Sequence, residues 1–187
     1  MEEIFKIKRL YELKEVERKG EINGRHETSA EHTYSCLILA KYFLDKIKQP
    51  IDHLKVMNML LFHDVIEIES GDTFNLEHND ENSKEQELKE KESLKKLKNQ
   101  IPLNMSKYFE KLFFEFEEMK TIESRFCKAI DKLDPVFHNL YGKKIWQKNG
   151  FNEKILRNNK EKYFKEFPEI MAIFEQILDY AKENKYW

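Results

Sequence analysis

Glycine, proline and cysteine are scarce in this chain, and no long apolar run occurs in it. Its 187 residues include 5 Gly, 4 Pro and 2 Cys. So few chain breakers, beside abundant Lys, Glu and Leu, favour helices over short strands. Two cysteines, Cys36 and Cys127, exclude a disulfide framework and fit a reduced setting. The missing apolar run excludes a transmembrane helix. The acidic start Met1-Glu2-Glu3-Ile4-Phe5 lacks the apolar centre of a signal peptide. A cytoplasmic protein is therefore expected. Charge of one sign is lacking too: 33 basic residues face 35 acidic ones, for a net charge of −2. That balance gives no global attraction to a nucleic acid polymer or an anionic membrane. It leaves room for a local basic pocket that takes one phosphate.

What the chain does have is material for a core. Hydrophobic residues make up 40% and aromatics 13%, with 14 Phe. That length suits one domain, expected over residues 1–187. A broad helical stripe of Ile4, Phe5, Ile7, Leu10, Tyr11 and Val16 covers residues 3–18. Lys19 to His26 is polar, holds Gly20 and Gly24, and is expected to be a loop. Thr28-Ser29-Ala30-Glu31 has the form of a capping box, opening a helix to about Ile47. Another helix is expected from Pro50-Ile51-Asp52 to near Glu69, stopped by Gly71. After a polar loop over 72–82, Ser83-Lys84-Glu85-Gln86 is a second capping-box candidate, for a charged helix to about Asn99. Further helices are expected over 106–119 and from a Thr121 cap onward, with Pro135 kinking or ending the latter. The stretch 142–152 is expected to be a connection before two C-terminal helices split at Phe167-Pro168. No useful β-alternation and no repeat occurs. The expected fold is all-α, a single helical domain of roughly seven to nine helices by periodicity.

His63-Asp64 lies in the run Leu60-Leu61-Phe62-His63-Asp64-Val65-Ile66-Glu67, where the flanking pattern is apolar. A carboxylate buried there without a partner would cost several kcal/mol, on the order of an isolated buried charge. A divalent cation removes that cost. His32, on one helical face with Cys36 and Leu39, and Asp131, beside Ala129, Ile130 and Leu133, are inward-facing candidates from other helices. Together His32, His63, Asp64 and Asp131 make two imidazoles and two carboxylates, suited to one divalent Mn, Fe, Co, Ni or Zn ion. Glu67 follows His63 by four residues and Asp64 by three, so a single helix would put all three on one face. It is placed to orient or deprotonate water, and Asp72, just past Gly71, to assist or to hold a substrate hydroxyl. Cys36 is expected to be a small core residue. His138 shares the Asp131 face only if the helix survives Pro135. The Phe-rich run 112–116 is expected in the core or on a dimer surface, and His26, His53 and His78 in solvent.

Arg25-His26-Glu27-Thr28-Ser29-Ala30-Glu31-His32, then His63-Asp64-Val65-Ile66-Glu67-Ile68-Glu69-Ser70-Gly71-Asp72-Thr73, then Asp131-Lys132 resemble the HD-domain phosphohydrolases. The most similar branch is the one containing the 5′-deoxynucleotidases, and the likeness spans roughly residues 4–141. The resemblance implies metal ligation by His32, His63, Asp64 and Asp131, with Glu67 as catalytic carboxylate and Asp72 as its helper. It also implies phosphate contact by Arg18, with Lys132 offsetting phosphate charge, and a homodimer. The implied reaction removes the 5′-phosphate from (deoxy)nucleoside monophosphates or a similarly small phosphate ester. HD-type phosphodiester or pyrophosphate hydrolysis, and a non-catalytic nucleotide-binding regulatory module, are the alternatives. The deoxynucleotidases carry a tryptophan shortly after the arginine. Here Arg18 is followed by Lys19-Gly20-Glu21, which removes that basis for choosing deoxyribose.

Overall fold

Apolar side chains recur at helical spacing in the longest elements, and those are the side chains that become buried. The computed structural model describes residues 2–72 and 80–187, apart from the side chains of residues 80–88 and 90. The elements are α1 (Glu2–Tyr11), β1 (Glu17–Ile22), β2 (Arg25–Thr28), α2 (Ser29–Leu44), α3 (His53–Phe62) and α4 (Glu67–Ser70). There follow α5 (Asp80–Gln100), α6 (Leu103–Glu118), α7 (Ile122–His138), α8 (Lys143–Lys148), α9 (Glu153–Leu156), α10 (Lys162–Phe164) and α11 (Pro168–Glu183). Phe109, Leu112, Phe113 and Phe116 of α6 lie at i, i+3, i+4 and i+7, as do Phe126, Ala129, Ile130 and Leu133 of α7, and all are buried. Helices α2, α3, α6 and α7 pack together, and α10 and α11 also pack on α7. The expected all-α architecture holds, and no helix among the described residues is long and apolar enough to cross a membrane.

Four local expectations are corrected. The stripe expected as a helix over 3–18 stops at Tyr11, and a 3-10 turn over Glu12–Glu15 follows. Residues 19–26, expected as a loop, belong to an antiparallel hairpin with Glu21 opposite His26 and Ile22 opposite Arg25. Its turn is Asn23-Gly24, both at positive φ (50° and 82°), the geometry that asparagine and glycine tolerate best. The single helix expected from Asp52 to Glu69 breaks over residues 63–66. There Val65 donates to Phe62 and Glu67 to Asp64, bonds three residues long that wind the chain tighter than an α-helix. Finally, the connection over 142–152 contains α8, whose Trp146 is fully buried, donates to the Asn139 carbonyl at 2.6 Å and packs on Tyr186.

The expected stop at Gly71 is found, at φ 70°. Pro135 does not end α7, which continues to His138. Side chains of the second capping-box candidate, Ser83 to Gln86, and His78 lie outside the described residues. The first capping box is present: Thr28 Oγ1 accepts from the Glu31 N–H, and Glu31 Oε2 accepts from the Thr28 N–H at 2.9 Å. Ser29 N–H donates to Val16 O at 2.9 Å. The hairpin is thus fastened to the start of α2.

Thr28→Ala is expected to cost about 1 kcal/mol, the usual worth of a cap, and to lower Tm by about 2–4 °C for a chain of this size. Hydrogen bonds from Arg25 and the Thr28 N–H hold the Glu31 carboxyl at about 2 against an ordinary 4.5. A depressed acid stabilises the fold above its unfolded value and loses that contribution as pH falls through the folded one. Thermal melts from pH 7 to 2 should show this contribution fading below about 4.5, and Glu31→Gln should remove that part of the slope.

Candidate metal centre and catalytic site

Three parts of the chain converge on one point. His32 lies in the first turn of α2, His63 and Asp64 in the tight turn after α3, and Asp131 midway along α7. His32 Nε2 stands 3.3 Å from His63 Nε2, 3.3 Å from Asp131 Oδ1 and 3.6 Å from Asp64 Oδ2. His63 Nε2 is 3.3 Å from Asp64 Oδ1. All four expected ligands are therefore brought together.

Both rings are oriented from behind. His32 Nδ1 meets Asp134 Oδ2 at 2.6 Å, and His63 Nδ1 meets the Leu60 carbonyl at 2.7 Å. A proton donated from each Nδ1 leaves both Nε2 lone pairs facing the same space. Two lone pairs at 3.3 Å repel unless a positive charge stands between them. Donors about 3.0–3.4 Å apart are also the edges of a shell whose ligands lie ~2.0–2.2 Å from one ion. The donor set thus fits a divalent transition metal.

The protonation pattern agrees. Burial opposes the Asp131 carboxylate, but Lys132, at 3.0 Å, and His32 hold it well below the usual range. Burial pushes the His63 pKa down, keeping it neutral. Burial also opposes charge on His32, yet its hydrogen bonds to Asp131 and Asp134 hold that imidazole above its ordinary value. A proton therefore competes with a metal there. Cys36 Sγ lies 3.6 Å from His32 Nε2, but burial pushes its thiol up to about 12. It stays protonated and fills space as a core residue.

Glu67 follows Asp64 by three residues of tightened winding, which stacks the two carboxylates on one edge. Ser29 Oγ donates to Glu67 Oε2 at 2.5 Å. Burial and the Asp64 charge push the Glu67 carboxyl up to about 8, against Arg18 and Ser29. Arg18 Nη1 lies 3.0 Å from Asp64 Oδ2, 3.7 Å from Asp72 Oδ1 and 3.9 Å from Glu67 Oε1. Burial raises Asp72 as well. Every residue expected at the site lies in this cluster or directly on it. A cavity of about 470 Å³ opens beside it, walled in part by Arg18, Asp72, Asp131 and Lys132.

Sequence reasoning assigned nothing to Asp134, Glu27 or Ser29. Asp134 sits three residues after Asp131, so helical spacing alone pairs them on one face. Glu27 is buried, with Oε2 3.7 Å from Arg18 Nε and Oε1 3.2 Å from His138 Nδ1. Because α7 survives Pro135, His138 does share the Asp131 face. Its Nε2 presses on Gly20, where an added Cβ would stand 2.7 Å away. His26 and His53 are exposed, as expected.

The family model described as HD domain matches residues 10–171. No curated protein matches the chain in sequence. Among solved structures, one described as a predicted metal-dependent phosphohydrolase from Magnetospirillum magnetotacticum MS-1 is similar at TM-score 0.81 and 23% identity, over 99% of this chain and 93% of that one. A conserved hypothetical protein from Pyrococcus furiosus gives 0.60 and 25%, over 93% and 98%. An HD-domain phosphohydrolase from Listeria innocua gives 0.62 and 20%, over 96% and 93%.

Asp134→Ala is expected to weaken metal binding ~10–100-fold, the usual effect of removing a carboxylate that orients a ligating histidine. Competition with a chelator measures it. An unchanged affinity would show that His32 is oriented by something else.

Proposed function

The chain belongs to the HD domain family, and on that premise we propose that it is a metal-dependent phosphohydrolase. Its reaction, in this reading, removes the 5′-phosphate from nucleoside or deoxynucleoside monophosphates, or from a similarly small phosphate ester. The observation that carries it is the pair of Nε2 atoms 3.3 Å apart, flanked by Asp64 and Asp131 and bordered by Glu67. The names of the Magnetospirillum and Listeria proteins support the reaction class.

His32, His63, Asp64 and Asp131 would hold the ion. A bound ion would supply polarisation of a phosphoryl oxygen and a water of pKa lowered toward ~7. Glu67 would take the proton from the attacking water in its ionised form, which a cation offsetting the Asp64 charge favours, with its second oxygen fixed by Ser29 Oγ. The water oxygen bonds to phosphorus, the ester P–O bond breaks, and the departing alkoxide takes up a proton, for which Asp72 is the nearby acid. Arg18 gathers Asp64, Glu67 and Asp72, and Lys132 steadies Asp131. Lys19-Gly20 offers no aromatic wall against a 2′-hydroxyl, so ribose and deoxyribose esters are both substrates in this reading. The protein is read as a cytoplasmic homodimer, with exposed Tyr108 and Phe114 of α6 as apolar surface for that contact.

Phosphate release should be measured across all ribo- and deoxyribonucleoside 5′-monophosphates with added Mn²⁺ or Co²⁺. Turnover should exceed an Asp64→Ala control. Glu67→Gln should lower kcat ~10²–10⁴-fold, the range for a lost general base, while metal content stays unchanged. No turnover above the control across the panel would sink the proposal.

A further inference from the structure

The cavity beside the metal centre takes part of its wall from the C-terminal third of the chain, including Phe151, Asn159, Lys160 and Tyr163. Lys160 lies in Arg157–Glu161, a single π-helical turn between α9 and α10. Such turns are rare, and they recur at functional sites.

The cations around this cavity differ in what they already hold. Arg18 is committed to Asp64, Glu67 and Asp72, and Lys132 to Asp131. Lys162 lies over the Tyr163 ring, 4.9 Å from its centroid. The Lys160 ammonium makes no hydrogen bond and no ion pair among the described residues. Burial, then the charges of Lys132 and Arg18, push its ammonium pKa down to about 8, with only Asp131 opposing.

We propose that Lys160 binds the substrate's phosphoryl group, as a cavity cation whose side chain is not held by any of the site's own acids. The inference rests on the phosphohydrolase reading and adds the substrate's charge class to it: a dianionic phosphate monoester. Such a group brings about −1.5 to −2 charges at neutral pH. Arg18 and Lys132 are largely spent on carboxylates, so the ester needs a further positive charge beyond the ion. A lysine kept in place against burial and two like charges weakens the free protein. An incoming dianion removes that penalty.

The test uses the full chain loaded with Mn²⁺, labelled briefly with limiting acetic anhydride at pH 8, and mapped by mass spectrometry. Lys160 should label ahead of exposed lysines such as Lys41 and Lys120. Inorganic phosphate should suppress Lys160 labelling ~10-fold or more, and leave those two unchanged. Lys160→Met should raise KM for a monophosphate ~10–100-fold, as for a lost charge-assisted bond, with a smaller change in kcat and no drop in Tm. Lys160→Arg should recover most of the affinity. Lack of protection, or a KM within ~2-fold of the parent in Lys160→Met, overturns the inference. Protection in a protein that turns over no monophosphate supports phosphate binding by Lys160 and overturns the phosphohydrolase reading instead.

Discussion

The structure depends on the compensation of crowded acids. Asp64, Asp131, Asp134, Glu67, Asp72 and Glu27 converge in a region with little water, and each needs a positive or hydrogen-bonding partner. His32 stands between Asp131 and Asp134, Lys132 backs Asp131, and Arg18 faces the remaining four. Removing one member of a buried pair commonly costs about 3–5 kcal/mol, because the other is left uncompensated. The arrangement therefore holds as a set, and an ion at its centre completes the balance.

That demand explains the hairpin. An arginine on α1 would point along a helix that buries none of its own residues. Carried on β1, Arg18 enters from the side, between α2 and the turn after α3. Thr28 and Ser29 serve both elements at once: they cap α2, end β2 and place Ser29 Oγ on Glu67. Helix α1 packs only Leu10 on the core and adds polar contacts, with Arg9 bonded to Glu12, Glu69 and Gln100.

The helical core was legible because its burial follows a 3.6-residue period with apolar side chains, as in α6 and α7. The four residues expected as ligands were legible because histidine and aspartate interrupt those apolar runs. The hairpin was not. Its half-buried face is Arg18, Gly20 and Ile22, alternating in position but not in hydrophobicity, so a pattern search finds nothing. Asn23-Gly24 was the available signal. The break at 63–66 was hidden for a different reason. Its residues have good helical character, and only the shortened hydrogen bonds distinguish it. Asp134 could be found from its spacing to Asp131, whereas Lys160 is far along the chain and has no partner to betray it.

The walls of the cavity come from several stretches of chain, on both sides of residue 140. Residues that would handle the ion and the proton lie before Asp134, and those that close the cavity from 145 onward belong to short elements joined by turns. In the proposed reading, the residues that would hold the ion and the C-terminal wall of the cavity are thus free to diverge at different rates. Relatives with the same ion-binding residues and different C-terminal elements would admit different molecules to the cavity, provided that a cation such as Lys160 is kept for the phosphoryl group.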